Sequence, residues 1–119
     1  MKYVNKHAWV LIVPDTLENR PYGWSSTSAG VTARKLSNKE FDYLNEGAFV
    51  FTDINERCDL LIDAYEDEEI PYEKLDNAID VVQKDLAKAT DPDGIMGLKI
   101  LLEMLELAKK KKTLLAMYF

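Results

Sequence analysis

The chain has 119 residues, close to the commonest size of a single domain, and its 47% hydrophobic and 30% charged residues are typical of a globular protein. A single cysteine excludes an intrachain disulfide, and the apolar runs are too short for a membrane-spanning helix. The first seven residues do not form a secretory signal. We therefore expect one domain, residues 1–119, in the reducing cytoplasm and without membrane contact.

The net charge of −6 is unevenly distributed along the chain. Fourteen acidic residues but only four basic residues lie between Asp53 and Asp93, so this stretch carries a charge of −10 and the remainder carries +4. Nucleic-acid binding depends on Lys and Arg contacts to phosphates, which an acidic surface repels. The charge distribution therefore favours a basic protein partner and predicts no nucleic-acid binding.

The N-terminal third of the chain predicts two strands separated by a loop. Residues 7–13 are β-branched and aromatic and end before a proline, which indicates a buried strand. Residues 14–30 predict a long loop that contains Tyr22 and Trp24, and long loops in compact domains are often functional. Residues 31–36 predict a short edge strand.

A capping box marks the start of the first helix. Ser37 stands at the N-cap and Glu40 at the third helical position, from which it can reach back to the N-cap backbone. The helix is expected to bury Phe41 and Leu44 and to end at Gly47.

The pattern after Asp53 predicts a second helix, for which Thr52 or Asp53 can serve as the cap. Its apolar residues at helical spacing are Ile54, Cys58, Leu61, Ile62 and Tyr65. A strand over residues 60–65 is the alternative, because short apolar runs do not distinguish the two.

The last third of the chain predicts two helices and a strand. Pro71 suits the first turn of a third helix, and residues 90–94 separate this helix from a fourth that ends in the lysine run 109–112. The predicted apolar faces are Leu75, Ala78, Ile79, Val82 and Leu86 in the third helix, and Ile95, Leu98, Leu101, Leu102 and Leu105 in the fourth. Two amphipathic helices joined by a short turn indicate an antiparallel hairpin.

The apolar run 114–119 predicts a closing strand, and a free apolar strand would be an aggregation hazard, so it must pair inside a sheet. The strand at residues 7–13 is its expected neighbour. The predicted fold class is α+β, with a small, mostly antiparallel sheet that includes the N- and C-terminal strands. This sheet packs against helices that include the C-terminal helical hairpin.

The sequence offers no group that is typical of an ordinary enzyme. The only histidine, His7, lies at a strand edge, and Cys58 lies on an apolar helix face, where it is expected to behave as a small hydrophobic residue. One cysteine and one histidine cannot form a usual zinc site, and residues 91–94 are interpreted as a turn with a helix cap rather than a calcium loop. We expect no catalytic residue, no metal and no cofactor.

The placement of the acidic residues is the most informative feature. In a helix over residues 53–68, Glu56, Asp59, Asp63, Glu66 and Asp67 would form one stripe of like charges, which costs about 0.2–0.5 kcal/mol per pair. Such a stripe is a candidate partner site, although an acidic face can also serve solubility alone. The candidate partner-binding residues are Glu56, Asp59, Asp63, Glu66, Asp67, Glu68, Glu69, Tyr72 and Trp24.

The order of motifs and predicted elements over residues 40–119 is similar to that of a known group of proteins. The run Leu61-Ile62-Asp63-Ala64-Tyr65-Glu66-Asp67-Glu68-Glu69-Ile70-Pro71 precedes a helix, and Leu107-Ala108 end a second helix before a basic turn and the strand Leu115-Ala116-Met117-Tyr118-Phe119. This layout resembles the small immunity proteins of bacterial polymorphic-toxin and contact-dependent growth inhibition systems. The resemblance implies an acidic cytoplasmic protein that binds a cognate toxin domain, often a nuclease, and blocks its active site or substrate access.

The sequence is also compatible with three other functions. The first is a phage- or plasmid-borne inhibitor that imitates nucleic acid, the second is a small regulatory adaptor domain, and the third is an enzyme of unfamiliar type. The genes beside the coding sequence separate the first of these from an immunity protein.

Overall fold

The computed structural model describes residues 9–19, 30–64 and 66–119, so the predictions made for His7, Tyr22, Trp24 and Tyr65 lie outside the described residues. The strands are β1 (Trp9–Pro14), β2 (Val31–Leu36), β3 (Asp67–Ile70) and β4 (Leu115–Tyr118). The helices are α1 (Asn38–Asp42), which continues as a π-helical turn (Tyr43–Gly47), α2 (Val50–Cys58), α3 (Leu75–Lys88) and α4 (Pro92–Lys111). Two short 3₁₀ turns occupy Leu17–Asn19 and Tyr72–Lys74.

The four strands form one antiparallel sheet in the order β2-β1-β4-β3. The central pair joins the two strands predicted to be neighbours, with Leu11 opposite Met117 and Ile12 opposite Ala116. Every residue of β1 is buried. This agrees with its sequence, in which apolar residues are continuous and do not alternate with polar residues as they do in a half-exposed strand. The predicted α+β fold with a mostly antiparallel sheet is confirmed, and β2 is an edge strand as predicted.

The helices cover one face of this sheet, and α3 and α4 contact each other as the predicted hairpin. The main core lies between them and the sheet and contains an aromatic cluster of Trp9, Phe41, Phe51 and Phe119. A smaller buried cluster of Val10, Ile12, Leu114 and Ala116 lies on the opposite face of the sheet. Both faces of the two central strands are therefore buried.

The predicted capping box at the start of α1 is present. The Glu40 backbone N–H donates to Ser37 Oγ at 3.1 Å, and the Ser37 backbone N–H donates to Glu40 Oε1 at 2.8 Å. Phe41 and Leu44 are buried as predicted, and the π-helical turn ends at Gly47. A local hydrogen-bonding pattern of four residues was therefore sufficient to locate this helix start.

The N-terminus of α4 also follows the sequence prediction. Asp91 is its N-cap and accepts a hydrogen bond from the Gly94 N–H at 2.8 Å, and Pro92 occupies the first helical position. A Cβ atom at Gly94 would lie 2.5 Å from ring carbons of Tyr43. This position therefore requires glycine because the Tyr43 ring packs directly on the helix backbone.

The helices were also compared with the length and hydrophobicity of membrane-spanning segments. Among residues 9–19, 30–64 and 66–119, none of them combines the two properties that a membrane-spanning helix needs.

Over residues 60–64 the predicted continuation of α2 is wrong, and so is the alternative of a strand; the last residue of that prediction, Tyr65, lies outside the described residues. The helix ends at Cys58, Asp59 adopts a left-handed conformation with φ of 56°, and residues 60–64 are irregular. The chain then enters β3, a strand that is not among the elements predicted from the sequence. Acidic residues are depleted in strands, but an edge position lets their backbone pair with β4 while their side chains remain accessible to solvent.

Candidate partner-binding site

The acidic candidate residues lie in residues 56–69, which we call the acidic segment. This segment passes from a helix through an irregular connection into a strand. Glu56 lies near the end of α2, Asp59 follows the helix, and Asp63 lies in the irregular connection. Glu66 precedes β3, whose first three residues are Asp67, Glu68 and Glu69. All of them are exposed except Glu68 and Glu69, which are partly buried.

The helical stripe of carboxylates does not exist, because the segment is not one helix. Side chains alternate between the faces of a strand, so Asp67 and Glu69 share the face of their partners Tyr118 and Ala116. Glu68 lies opposite Met117, on the face that the helices cover. The carboxylates of β3 therefore point to two sides of the sheet edge.

Two polar side chains hold the connection between α2 and β3 in place. Asn55 on α2 makes a pair of hydrogen bonds with the backbone of Ile62, because its Oδ1 accepts from the Ile62 N–H at 2.7 Å and its Nδ2 donates to the Ile62 carbonyl at 3.0 Å. The Glu68 carboxylate accepts the Leu61 N–H at 3.2 Å and the Glu69 N–H at 2.9 Å. Glu68 therefore fixes the connection to β3, a structural role that the sequence analysis did not assign.

This arrangement presents Leu61 to solvent. The Leu61 side chain is 80% exposed, the largest exposed fraction among the described large hydrophobic residues, whereas Ile62 beside it is 5% exposed. Helical spacing predicted that both residues lie on the apolar face of a helix. The missed signal is that successive residues of an extended segment face opposite sides, so only one of two adjacent apolar residues can enter the core.

Six basic side chains pair with acidic residues outside the acidic segment. The described ion pairs join Arg34 to Glu103, Arg57 and Lys84 to Asp80, Lys88 to Asp85, Lys109 to Asp76, and Lys111 to Asp15. Within the three described ranges, the carboxylates of Glu56, Asp59, Asp63, Glu66, Asp67 and Glu68 form no ion pair with a lysine or arginine. Most of the negative charge of the acidic segment is therefore not neutralised by the described lysines and arginines.

Tyr118 on β4 has a raised pKa because of its burial and of the acidic residues on β3. Its burial raises the pKa of the phenol above the usual value of 10.0, and the carboxylates of Asp67 and Glu69 raise this pKa further. Tyr118 is therefore protonated and neutral at physiological pH and adds no charge of its own.

Tyr72, predicted to bind the partner, lies next to a different surface. It is 44% exposed and lines a groove of about 700 Å³ between α3 and α4, together with Ile79, Gln83, Glu106, Lys109, Lys110 and Lys112. The structure thus groups Tyr72 with lysines. Trp24 lies outside the described residues.

The chain matches no family model, no curated protein and no solved structure.

The surroundings of Cys58 do not favour a catalytic role. Cys58 is buried, its Sγ lies 3.7 Å from the Lys74 carbonyl, and burial raises the pKa of its thiol above 9.0 despite the opposing charges of Lys74 and Arg57. A buried thiol with a raised pKa is a poor nucleophile. In the part of the chain that the structure describes, no three His, Cys, Asp or Glu side chains are placed to hold a metal ion.

The surroundings of Asp85 on α3 should make the free energy of unfolding depend on pH. Its Oδ2 is buried and has no hydrogen-bond partner among the described residues. Burial raises the pKa of Asp85 above 3.8, the Asp53 carboxylate raises it further, and Lys88 partly opposes this. A raised pKa means that the fold disfavours the ionised form, so the free energy of unfolding falls as pH rises from below 3.8 through the pKa of the folded state.

Asp85→Asn is therefore expected to raise the free energy of unfolding at pH 7 by about 1 kcal/mol, and this gain should shrink as pH falls through the raised pKa of Asp85 and be lost below the ordinary value of 3.8. Asp80 is the control, because hydrogen bonds from Lys84 and Arg57 lower its pKa and Asp80→Asn should instead destabilise the protein at pH 7. Denaturant unfolding between pH 3 and pH 7 measures both. A gain for Asp85→Asn that is equally large at pH 3 would contradict the assignment.

Proposed function

We propose that this protein is an immunity protein that neutralises a cognate bacterial toxin of the nuclease type by binding a basic surface of the toxin through the acidic segment. The observation that carries the proposal is the unequal neutralisation of the acidic residues. Asp76, Asp80 and Asp85 in α3 have lysine or arginine partners, whereas six carboxylates between Glu56 and Glu68 have none among the described residues. The layout resemblance to toxin immunity proteins gives additional support.

The electrostatic argument connects this charge to inhibition. A nuclease holds its substrate by placing lysine and arginine side chains against phosphates, so its active-site region is basic. An acidic protein is attracted to that region, associates faster than a neutral one and can cover the surface that the nucleic acid needs. Binding of this kind requires neither a cofactor nor a catalytic residue in the inhibitor.

Reversing the charge of Asp63 and Glu66 is the direct test. Both side chains are exposed and Asp63→Lys with Glu66→Lys changes the net charge from −6 to −2, because each reversal adds two charges. The double variant should associate with the cognate toxin domain at least about tenfold more slowly, with a weaker dependence on salt. Stopped-flow association at several salt concentrations measures both effects.

The matched control is the pair Asp42→Lys and Glu46→Lys. These exposed residues lie at the end of α1 and in the following π-helical turn, and their reversal changes the net charge by the same amount. Equal slowing by the two double variants would show that only total charge matters and would refute the assigned site. If the wild-type protein neither binds the toxin domain nor restores growth of cells that express it, the immunity function is wrong.

A further inference from the structure

The geometry of the connection between α2 and β3 points to a specific anchor. We propose that Leu61 is the apolar side chain with which this surface docks onto a protein that offers an apolar pocket rimmed by lysine or arginine. This inference deepens the proposed function and rests on the acidic segment as the binding surface. It does not depend on the partner being a toxin.

The backbone around Leu61 is fixed from both sides. The Leu61 N–H is bonded to Glu68 of β3, and both backbone groups of the next residue, Ile62, are bonded to Asn55 of α2. The Ile62 side chain is buried below the connection. An exposed side chain on a fixed backbone loses less conformational entropy on binding than one on a mobile loop, because much of its ordering is already present in the free protein.

The position of Leu61 also differs from that of a random surface leucine. Isolated exposed apolar residues are normal in soluble proteins and need no functional explanation. Here, however, three polar contacts from two secondary-structure elements keep the neighbouring residue inside and Leu61 outside. Interfaces commonly combine an apolar centre with a polar rim, and Leu61 lies between acidic residues in the chain.

The charges near Leu61 in the chain define the chemistry of the occupant. Asp59, Asp63 and Glu66 are exposed and have no ion pair among residues of the described ranges. A wholly apolar or acidic partner would leave these carboxylates desolvated or repelled, whereas basic side chains around a pocket would pair with them. The complementary surface is therefore apolar at its centre and basic at its rim.

The two parts of such a site have separable kinetic effects. Carboxylates act over a distance and mainly determine the association rate and its dependence on salt. An apolar anchor acts only after contact and mainly determines the dissociation rate. Leu61 can therefore be tested independently of the acidic residues around it.

The first experiment places a diazirine-bearing amino acid at position 61 of the full chain and irradiates cells of the native host. The control carries the same group at position 17, because Leu17 is also more than half exposed but lies in the 3₁₀ turn after β1. We expect a protein adduct at position 61, mapped by mass spectrometry to apolar residues beside lysine or arginine. The adduct should decrease with Asp63→Lys and Glu66→Lys but persist with Asp42→Lys and Glu46→Lys.

The possible results distinguish the inference from the proposed function. An adduct at position 61 no stronger than at position 17, or one that does not respond to the charge reversals, overturns the inference. An adduct with the expected charge dependence on a protein that is not a toxin supports the inference and refutes the immunity function. An adduct with the expected dependence on a toxin supports both.

The second experiment measures the complex of purified proteins with the partner so identified. Leu61→Ala should increase the dissociation rate by about tenfold and leave the association rate and its salt dependence nearly unchanged. Leu17→Ala should change neither rate. Thermal unfolding of Leu61→Ala should match the wild type because the side chain is exposed, and unchanged dissociation in a folded variant would overturn the inference.

Discussion

Phe41→Ala is expected to lower the free energy of unfolding by about 3–5 kcal/mol, the largest effect of any substitution considered for this fold. The Phe41 ring stacks on Trp9 with their centroids 3.7 Å apart, and it contacts Phe119 at 5.0 Å and Phe51 at 5.7 Å. These partners belong to different parts of the chain, from β1 to the residue after β4. Removal of the ring would leave a cavity where α1, α2 and the sheet meet.

Urea unfolding followed by far-ultraviolet circular dichroism measures this loss. Phe49→Ala is the matched control, because it deletes the same ring at a position that is 57% exposed. Phe49 has a φ of 54°, and alanine retains this left-handed strain, so the two substitutions differ mainly in burial. The control should cost less than about 1 kcal/mol. Similar losses in both variants would mean that the aromatic cluster does not stabilise the fold as described.

Asn55→Ala is expected to lower the free energy of unfolding by about 2–3 kcal/mol. The substitution removes the hydrogen bonds to the Ile62 N–H and carbonyl, at 2.7 and 3.0 Å, and leaves two backbone groups of a buried residue without partners. Asn55→Asp should fall between wild type and Asn55→Ala, because a carboxylate can accept the Ile62 N–H but cannot donate to the carbonyl.

Chemical unfolding measures the total effect, and hydrogen exchange of the Ile62 amide measures the local one. Asn77→Ala is the control, because the Asn77 amide oxygen accepts only a long hydrogen bond of 3.4 Å from Arg57 at the surface. Its cost should remain within about 0.5 kcal/mol. If exchange at Ile62 is no faster in Asn55→Ala, then Asn55 does not hold the connection.

Much of the fold could be predicted because its determinants are local. The capping box at Ser37 and Glu40 and the cap and proline at Asp91 and Pro92 specify helix starts within four residues. The periodic apolar faces of α3 and α4 predicted the hairpin. The pairing of β1 with β4 followed from the need to bury two strongly apolar strands, which leaves few alternative arrangements.

The candidate site could not be predicted because its determinants are long-range. Residues 67–70 lack the pattern of a strand, and they form β3 only because β4 provides a hydrogen-bonding neighbour with Met117 opposite Glu68. Helical spacing suggested that Leu61 and Ile62 both face the core, whereas contacts from Asn55 and Glu68 separate them. The sequence therefore shows which residues are acidic but does not show how they are arranged in space.

The two outer strands of the sheet have a consequence for self-association. β2 exposes Arg34 and Lys35, whereas β3 begins with Asp67, Glu68 and Glu69. Two molecules that met through identical strands would bring like charges together, which opposes a symmetric dimer built by extending the sheet. Opposite charges would allow only a β2-to-β3 contact, and the Glu68 carboxylate already occupies the Glu69 N–H on β3. The protein should therefore remain monomeric even at high concentration, and any residual β2-to-β3 association should weaken as salt is added.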